Sequence, residues 1–208
     1  MSPVIKVCGM RDAENIRQVE TLDIDLMGFI FWPKSSRYVS EHPAYLPMKC
    51  KRVGVFVDEE IETVKRIADE YALDYIQLHG HESPSYCAQL QGLHLIKAIS
   101  VSGYDDISAY KRYEELVDYF LFDTRMPSRG VGCWLPPGGT GQKFDWSVLS
   151  AYDGNTPFLL SGGICSDDVE RVKMFYHPQC VGVDLNSRFE LAPGFKDINT
   201  LKKFLEQL

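Results

Sequence analysis

The chain has 208 residues, 45% apolar and 25% charged, the balance of a globular protein with enough length for one domain and a full core. Its formal net charge of −7 argues against nucleic acid or an anionic membrane as main partner, because both need a basic face, yet leaves room for a phosphorylated small molecule held by local backbone groups. No apolar run approaches the roughly 18 residues of a membrane span, no charged leader precedes a long apolar region, and the six cysteines are scattered without a C-x-x-C pair; a cytoplasmic protein with no signal peptide, structural zinc site or disulfide framework is expected.

Strand and helix patterns alternate from the start. "VIKVC" (4–8) reads as a strand, and "DAENIRQVETL" follows with Ile16, Val19 and Leu22 at three-residue steps. After the strand "LMGFIF" (26–31), Pro43 and Pro47 shorten or break the next helix. "RVGVFV" (52–57) leads into "DEEIETVKRIADEYAL", and "YIQLH" (75–79) into "SPSYCAQL", where Ser83 is an N-cap and Pro84 fits the first helical position. "LHLIKAI" (93–99) precedes the helical "SGYDDISAYKRYEEL". "YFLFD" (119–123) opens onto an irregular stretch, 125–142, before the weaker helix candidate "FDWSVLSAY". "FLLSG" (158–162) with "CSDDVERVKMFY", and "VGVDL" (181–185) with "DINTLKKFLEQL", complete the series.

The strands are short, rich in Val, Ile, Leu and Phe, and lack clean two-residue alternation, as strands buried on both faces do. Eight βα units therefore predict an α/β fold, a single (β/α)8 barrel of the TIM type spanning residues 1–208. An open doubly wound sheet usually has fewer strands and an early G-x-G-x-x-G, which is missing.

Polar and glycine-rich motifs stand at the C-terminal ends of these runs: "CGMRD", "WPKSSR", "HGHE", "DTR" with "GGTG" downstream, "SGG" and "DLNSR". A parallel barrel gathers those ends on one face, where barrel enzymes carry their active sites. Strand ends also favour such residues simply as turns. Together, however, "GGTG" and "SGGI" offer unobstructed backbone N–H groups after strands six and seven, which points to a phosphorylated small-molecule substrate. Cys8 is either a small buried core residue or a thiol acting as nucleophile or base. Asp123, after four apolar or aromatic residues, is partly desolvated and suited to the acid form, with a cap or an Arg125 ion pair as the structural alternative. On strands one and six the two can face each other across one sugar-sized substrate. Arg37 is the best partner for a substrate carboxylate. His79 reads as a hydrogen-bonding wall or a satisfied strand-end histidine more than as a base. Asp184 caps the final helix or orients the phosphate loop.

The blocks "IKVCGMRDAENI", "GFIFWPKSSRYV", "VGVFVDE", "IQLHG", "FDTR", "GGTGQKFDW", "LSGGI", "GVDLNSRFE" and "PGFKDINTLKKFL" together resemble phosphoribosylanthranilate isomerase of tryptophan biosynthesis, in order from about residue 4 to about 205. The resemblance implies an enzyme without cofactor or metal that rearranges N-(5-phosphoribosyl)anthranilate, an aminoaldose, to the aminoketose 1-(2-carboxyphenylamino)-1-deoxyribulose 5-phosphate. It implies Asp123 as the general acid at the furanose ring oxygen and Cys8 as the general base at C2. Arg37 falls where the family holds the anthranilate carboxylate, and Gly141, Gly162, Gly163, Asn186 and Ser187 fall on its phosphate loops. Two departures stand out. The loop before "GGTG" carries "SRGVGCWLPP", longer and more apolar than expected, with Trp134 as shield, contact or filler. Arg188 stands where Gly is expected, so the turn needs another backbone conformation or the guanidinium reaches the phosphate.

Rival readings are weaker. Indole-glycerol-phosphate synthase needs a catalytic lysine at a strand end; Lys6 is expected to point away from the site cysteine, and Lys97 is the other strand lysine. Ribulose-phosphate epimerase needs metal-ligating histidines and acids, which His79 alone does not supply. A barrel that only binds a phosphosugar would not need both Cys8 and Asp123. Neither a monomer nor a homodimer is favoured by the pattern.

Overall fold

The chain's computed structural model describes residues 2–124 and 146–208. Eight parallel strands close on themselves in sequence order: β1 (Val4–Val7), β2 (Leu26–Ile30), β3 (Lys51–Phe56), β4 (Tyr75–Leu78), β5 (His94–Val101), β6 (Tyr119–Thr124), β7 (Phe158–Ser161) and β8 (Cys180–Leu185). Closure is made by β1, where Lys6 pairs with Leu26 of β2 on one side and Asp184 of β8 on the other. All eight expected strands are present.

The apolar runs are buried on both faces for two reasons. Leu26, Val53, Tyr75, Ile96, Ala98, Leu121 and Leu159, all strand residues, form a small cluster filling the barrel. A larger cluster joins the outward faces to helix residues such as Ile16, Val19, Val64, Leu201 and Phe204. The outer layer comprises α1 (Ala13–Glu20), α2 (Ile61–Tyr71), α3 (Pro84–Gln89), α4 (Tyr104–Ile107), α5 (Val169–Met174) and α6 (Ile198–Gln207). Caps behave as the sequence suggests: the Ser83 hydroxyl accepts from the Tyr86 N–H ahead of Pro84, and Asp12 accepts from the Asn15 N–H. No helix among the described residues is long and apolar enough to cross a membrane.

The outer ring is less regular than eight full βα units. No helix joins β2 to β3, where Pro43 and Pro47 remove backbone donors. The stretch after β5 keeps only the short α4 and a 3-10 turn, Ser108–Arg112; core packing overrides its helical spacing, as Tyr110 stacks edge-on against Tyr152 and the Tyr113 hydroxyl donates to the Glu82 carbonyl at 2.9 Å. A 3-10 turn, Trp146–Ala151, precedes β7. One element was not expected: a small antiparallel hairpin of β9 (Glu190–Ala192) and β10 (Phe195–Lys196) between β8 and α6. Lys97 lies buried with its ammonium on Glu82 at 3.0 Å and on three carbonyls, those of Leu78, Gly80 and Ala98. It pins the loop after β4, which leaves it unsuited to covalent chemistry.

Candidate active site

Cys8 stands one residue beyond β1. Its N–H donates to the Leu185 carbonyl at 2.9 Å, and the N–H groups of Gly9 and Met10 both donate to the Gly28 carbonyl at 2.9 Å. The chain turns sharply there through Gly9, whose φ is +81°. A side chain at Gly9 fails twice, because a Cβ would also lie 2.7 Å from Arg37 Cδ and 2.8 Å from Asn186 Oδ1. On β2, a Cβ at Gly28 would lie 2.6 Å from the Cys8 sulfur. The thiol therefore packs against the bare backbone of β2 and is only 3% exposed.

Lys6 overturns one expectation. Lys6 and Cys8 are two positions apart, so the strand period sends both side chains to the same side, not opposite sides. Lys6 is fully buried, and its Nζ donates to Asp184 Oδ1 at 2.7 Å. Asp184 consequently does not cap the last helix; Asp197 does, accepting from the N–H groups of Asn199 and Thr200. The second Asp184 oxygen accepts from the Ser161 hydroxyl at 3.0 Å. Ser161 in turn is the register partner of Asp123. A polar row thus crosses four adjacent strands, from Asp123 on β6 through Ser161 and Asp184 to Lys6 below Cys8.

Asp123 meets His79 Nε2 at 3.3 Å, and His79 Nδ1 lies 2.9 Å from the Gln77 amide nitrogen. An amide N–H donating to Nδ1 leaves the ring proton on Nε2, facing Asp123. His79 is thus a wall beside the carboxyl group, as expected. The alternative Arg125 partner of Asp123 lies outside the described residues.

Arg37 is not a bare guanidinium. Its Nε donates to both Glu190 oxygens, at 2.9 and 3.0 Å, and its Nη2 to Oε2 at 2.6 Å, leaving Nη1 as its open corner among the described residues. Glu190 also accepts from the fully buried Lys196 at 2.6 Å, and Lys196 donates to Asn186 Oδ1 at 2.7 Å. The side chain of buried Asn15 on α1 fixes β10 from behind: Oδ1 accepts from the Lys196 N–H at 2.7 Å, and Nδ2 donates to its carbonyl at 3.0 Å. Glu190 and Lys196 were not singled out from the sequence, and Lys6 was considered there only to be set aside. For Lys6 the signal was present in its spacing from Cys8; for the other two it lay in the blocks "GVDLNSRFE" and "PGFKDIN" without a local pattern to assign a role.

The electrostatics follow from burial. Desolvation pushes the Cys8 thiol up, opposed by Lys6, while Asp184 adds to the rise and Lys196 reduces it. Burial works against a charged Lys6, yet Asp184 and then Cys8 more than offset this and hold its ammonium above the usual range. Burial prevails at Lys196, which is lowered despite Glu190. Glu190 is depressed although burial opposes it, because Arg37 and Lys196 both favour the carboxylate. With three basic and two acidic side chains around Cys8, one further anion completes the balance.

Gly162 and Gly163 follow β7 with φ of +95° and +69°, and a Cβ on Gly163 would meet nothing within 4 Å. Gly163 is exposed at the rim, where a phosphate loop would stand. Ser187 and Arg188 belong to a 3-10 turn, Ser187–Phe189, after Asn186. Arg188 is exposed and avoids the left-handed region, so the loss of the expected Gly costs no backbone strain there. Gly141 and the 125–142 stretch with Cys133 and Trp134 lie outside the described residues. Among the described residues no three His, Cys, Asp or Glu side chains are placed to hold a metal.

The family model for N-(5'-phosphoribosyl)anthranilate isomerase matches residues 5–207. The protein of that name from Parabacteroides distasonis is 47% identical over 213 residues, covering 99% of this chain and 93% of its own. A crystal structure of phosphoribosyl anthranilate isomerase in complex with reduced 1-(o-carboxyphenylamino)-1-deoxyribulose 5-phosphate superposes with a TM-score of 0.80 at 30% identity, covering 99% of this chain and 98% of that one. Monomers of the dimeric phosphoribosylanthranilate isomerase from Thermotoga maritima give the same TM-score, 0.80, at 30% identity, with 99% and 98% of the two chains covered.

Proposed function

The chain belongs to the N-(5'-phosphoribosyl)anthranilate isomerase family of tryptophan biosynthesis, and we propose that it rearranges this aminoaldose to its aminoketose with Cys8 as general base and Asp123 as general acid. The observation that carries the assignment is the pairing itself: a buried thiol beyond β1 and a carboxyl group on β6 stand on the same rim of one closed barrel, three strands apart. In this reading Asp123 gives its proton to the furanose ring oxygen as the C1–O bond breaks, producing a protonated Schiff base. The Cys8 thiolate then takes the proton from C2, and the electron pair moves into the C1–C2 bond to neutralise the iminium. The resulting enolamine tautomerises to the ketone.

His79 fixes the Asp123 carboxyl group, and the open Nη1 corner of Arg37 receives the anthranilate carboxylate. The backbone turn at Gly162 and Gly163, with Asn186, Ser187 and Gly141, forms the phosphate pocket, and Asp184 supports it from the barrel interior. The enzyme works in the cytoplasm, as a monomer or homodimer, without cofactor or metal, as one (β/α)8 unit over residues 1–208.

The test is a fluorescence assay with phosphoribosylanthranilate generated in situ. Cys8→Ala and Asp123→Asn are each expected to lose at least about 100-fold in kcat, in line with loss of a general acid or base, while retaining fold and product binding. Near-natural turnover by either folded variant overturns that residue's role.

A further inference from the structure

Lys6 is fully buried inside the barrel, where a charge is costly unless its surroundings fix it. Asp184 does so. The Lys6 Nζ lies 2.7 Å from Asp184 Oδ1, on the residue that is its register partner across β1 and β8. The Ser161 hydroxyl holds the other Asp184 oxygen at 3.0 Å, so the carboxylate is anchored at both ends. Lys6 and Cys8 project to the same side of β1, two residues apart and both buried, so the ammonium acts on the sulfur through a low-dielectric interior.

The strand itself does not need this pair. β1 is held by backbone pairing to both β2 and β8, and an apolar residue would fill the same interior position without the desolvation cost that a buried ion pair carries. The proposed chemistry does need it: a thiol buried against Gly28 has lost the water that would stabilise its charged form.

We propose that Lys6 is a positioning residue for the isomerisation: pinned by Asp184 on the same side of β1 as Cys8, its ammonium group favours the thiolate that takes the substrate proton. The inference rests on Cys8 being the base. The charged groups facing that sulfur are Lys6 from β1, Asp184 from β8 and Lys196 from β10, with Glu190 and Arg37 one contact further out through Lys196. Among the groups favouring the thiolate, Lys6 has the largest effect. Lys196 stands on β10 with Glu190 and Asn186 as its partners, whereas Lys6 lies two residues from Cys8 on the same side of β1.

The experiment is the pH profile of kcat/KM for the natural protein, Lys6→Gln, Lys6→Arg and Cys8→Ala, with the thiolate absorbance of each Lys6 variant read against its own Cys8→Ala counterpart. Removing a neighbouring buried cation is expected to move the acidic limb upward by about one to three pH units. At pH values below the limb, kcat/KM falls about tenfold for each unit of that movement, with KM little changed. Lys6→Arg keeps the charge and returns the limb toward its natural place. Should Lys6→Gln fail to fold, Lys6→Gln/Asp184→Asn removes both buried charges together, and the limb is still expected to rise. A folded variant without Lys6 whose limb and thiolate absorbance stay in place, while activity remains dependent on Cys8, overturns the proposal. Activity that survives Cys8→Ala instead overturns the assignment of Cys8 as base, whatever Lys6 does.

Discussion

Arg37 and Glu190, 153 residues apart in sequence, form a forked ion pair at the barrel rim, with the Glu190 side chain 5% exposed and that of Arg37 20%. The pair joins the loop after β2 to the β9–β10 hairpin. It also fixes the plane of the guanidinium, so that its Nη1 corner is presented in one orientation. Arg37→Lys keeps the charge but cannot fork. It is expected to raise KM about tenfold or more with a smaller effect on kcat, the loss of a bidentate anchor. Steady-state kinetics of the folded variant check this; an unchanged KM removes Arg37 from substrate binding.

Glu190 makes a separate prediction about stability. Its carboxyl group is depressed below the ordinary value of 4.5, despite burial, by Arg37 and Lys196. The sign follows from linkage: a carboxylate favoured in the folded state stabilises the protein above its unfolded pKa. That stability is lost as pH falls through the lower folded value. Thermal unfolding of the natural protein is therefore expected to weaken below about pH 4.5, and Glu190→Gln is expected to flatten that acid dependence. At neutral pH the same variant leaves Lys196 buried with one partner fewer, and a loss of about 3–5 kcal/mol is expected from breaking one side of a buried pair. Melting curves from pH 3 to 7 separate the two effects. An identical acid slope in both proteins assigns it to other carboxyl groups.

Gly28 tests the geometry of the thiol. Its added Cβ would stand 2.6 Å from the Cys8 sulfur, with Cys8 Cα at 3.1 Å and Cβ at 3.2 Å. Gly28→Ala must push the cysteine off its place. Overpacking costs about 1–3 kcal/mol, and a displacement near 1 Å in a reacting group costs on the order of 100-fold in rate. The expected result is a protein that still folds and binds product but turns over far more slowly. Full activity in Gly28→Ala shows that the sulfur position is not critical.

The strands were legible because a parallel barrel buries both of their faces, and "LMGFIF" or "FLLSG" carries that fact in its composition. Cys8, Asp123 and the Gly162–Gly163 pair were legible because strand ends converge on one rim. The environment of Cys8 was not. Lys6 was assigned to the wrong face although its two-residue offset from Cys8 places it correctly. Glu190 and Lys196 act through contacts to residues far away in the chain, and the hairpin that carries them has strands of three and two residues. No periodicity can emerge from elements so short. The missing helix after β2 was signalled by Pro43 and Pro47, whereas the collapse of the helix after β5 depends on Tyr110 and Tyr113 finding partners on other elements.

Asn15 carries the last prediction. It is fully buried on α1, and its side chain makes two hydrogen bonds to the backbone of Lys196, at 2.7 and 3.0 Å. Those bonds substitute for the neighbouring strand that the short β10 lacks. Asn15→Leu fills the space but leaves one N–H and one carbonyl of Lys196 without partners, each worth about 1–3 kcal/mol when buried. A loss of about 2–6 kcal/mol in unfolding free energy is expected on that basis. Because Lys196 also holds Asn186 and Glu190, the loss reaches the site: KM should rise along with the fall in stability, whereas a purely structural bond would lower only the melting temperature. Denaturant unfolding and steady-state kinetics on the same preparation decide between the two, and an unchanged KM in a destabilised Asn15→Leu confines Asn15 to the fold.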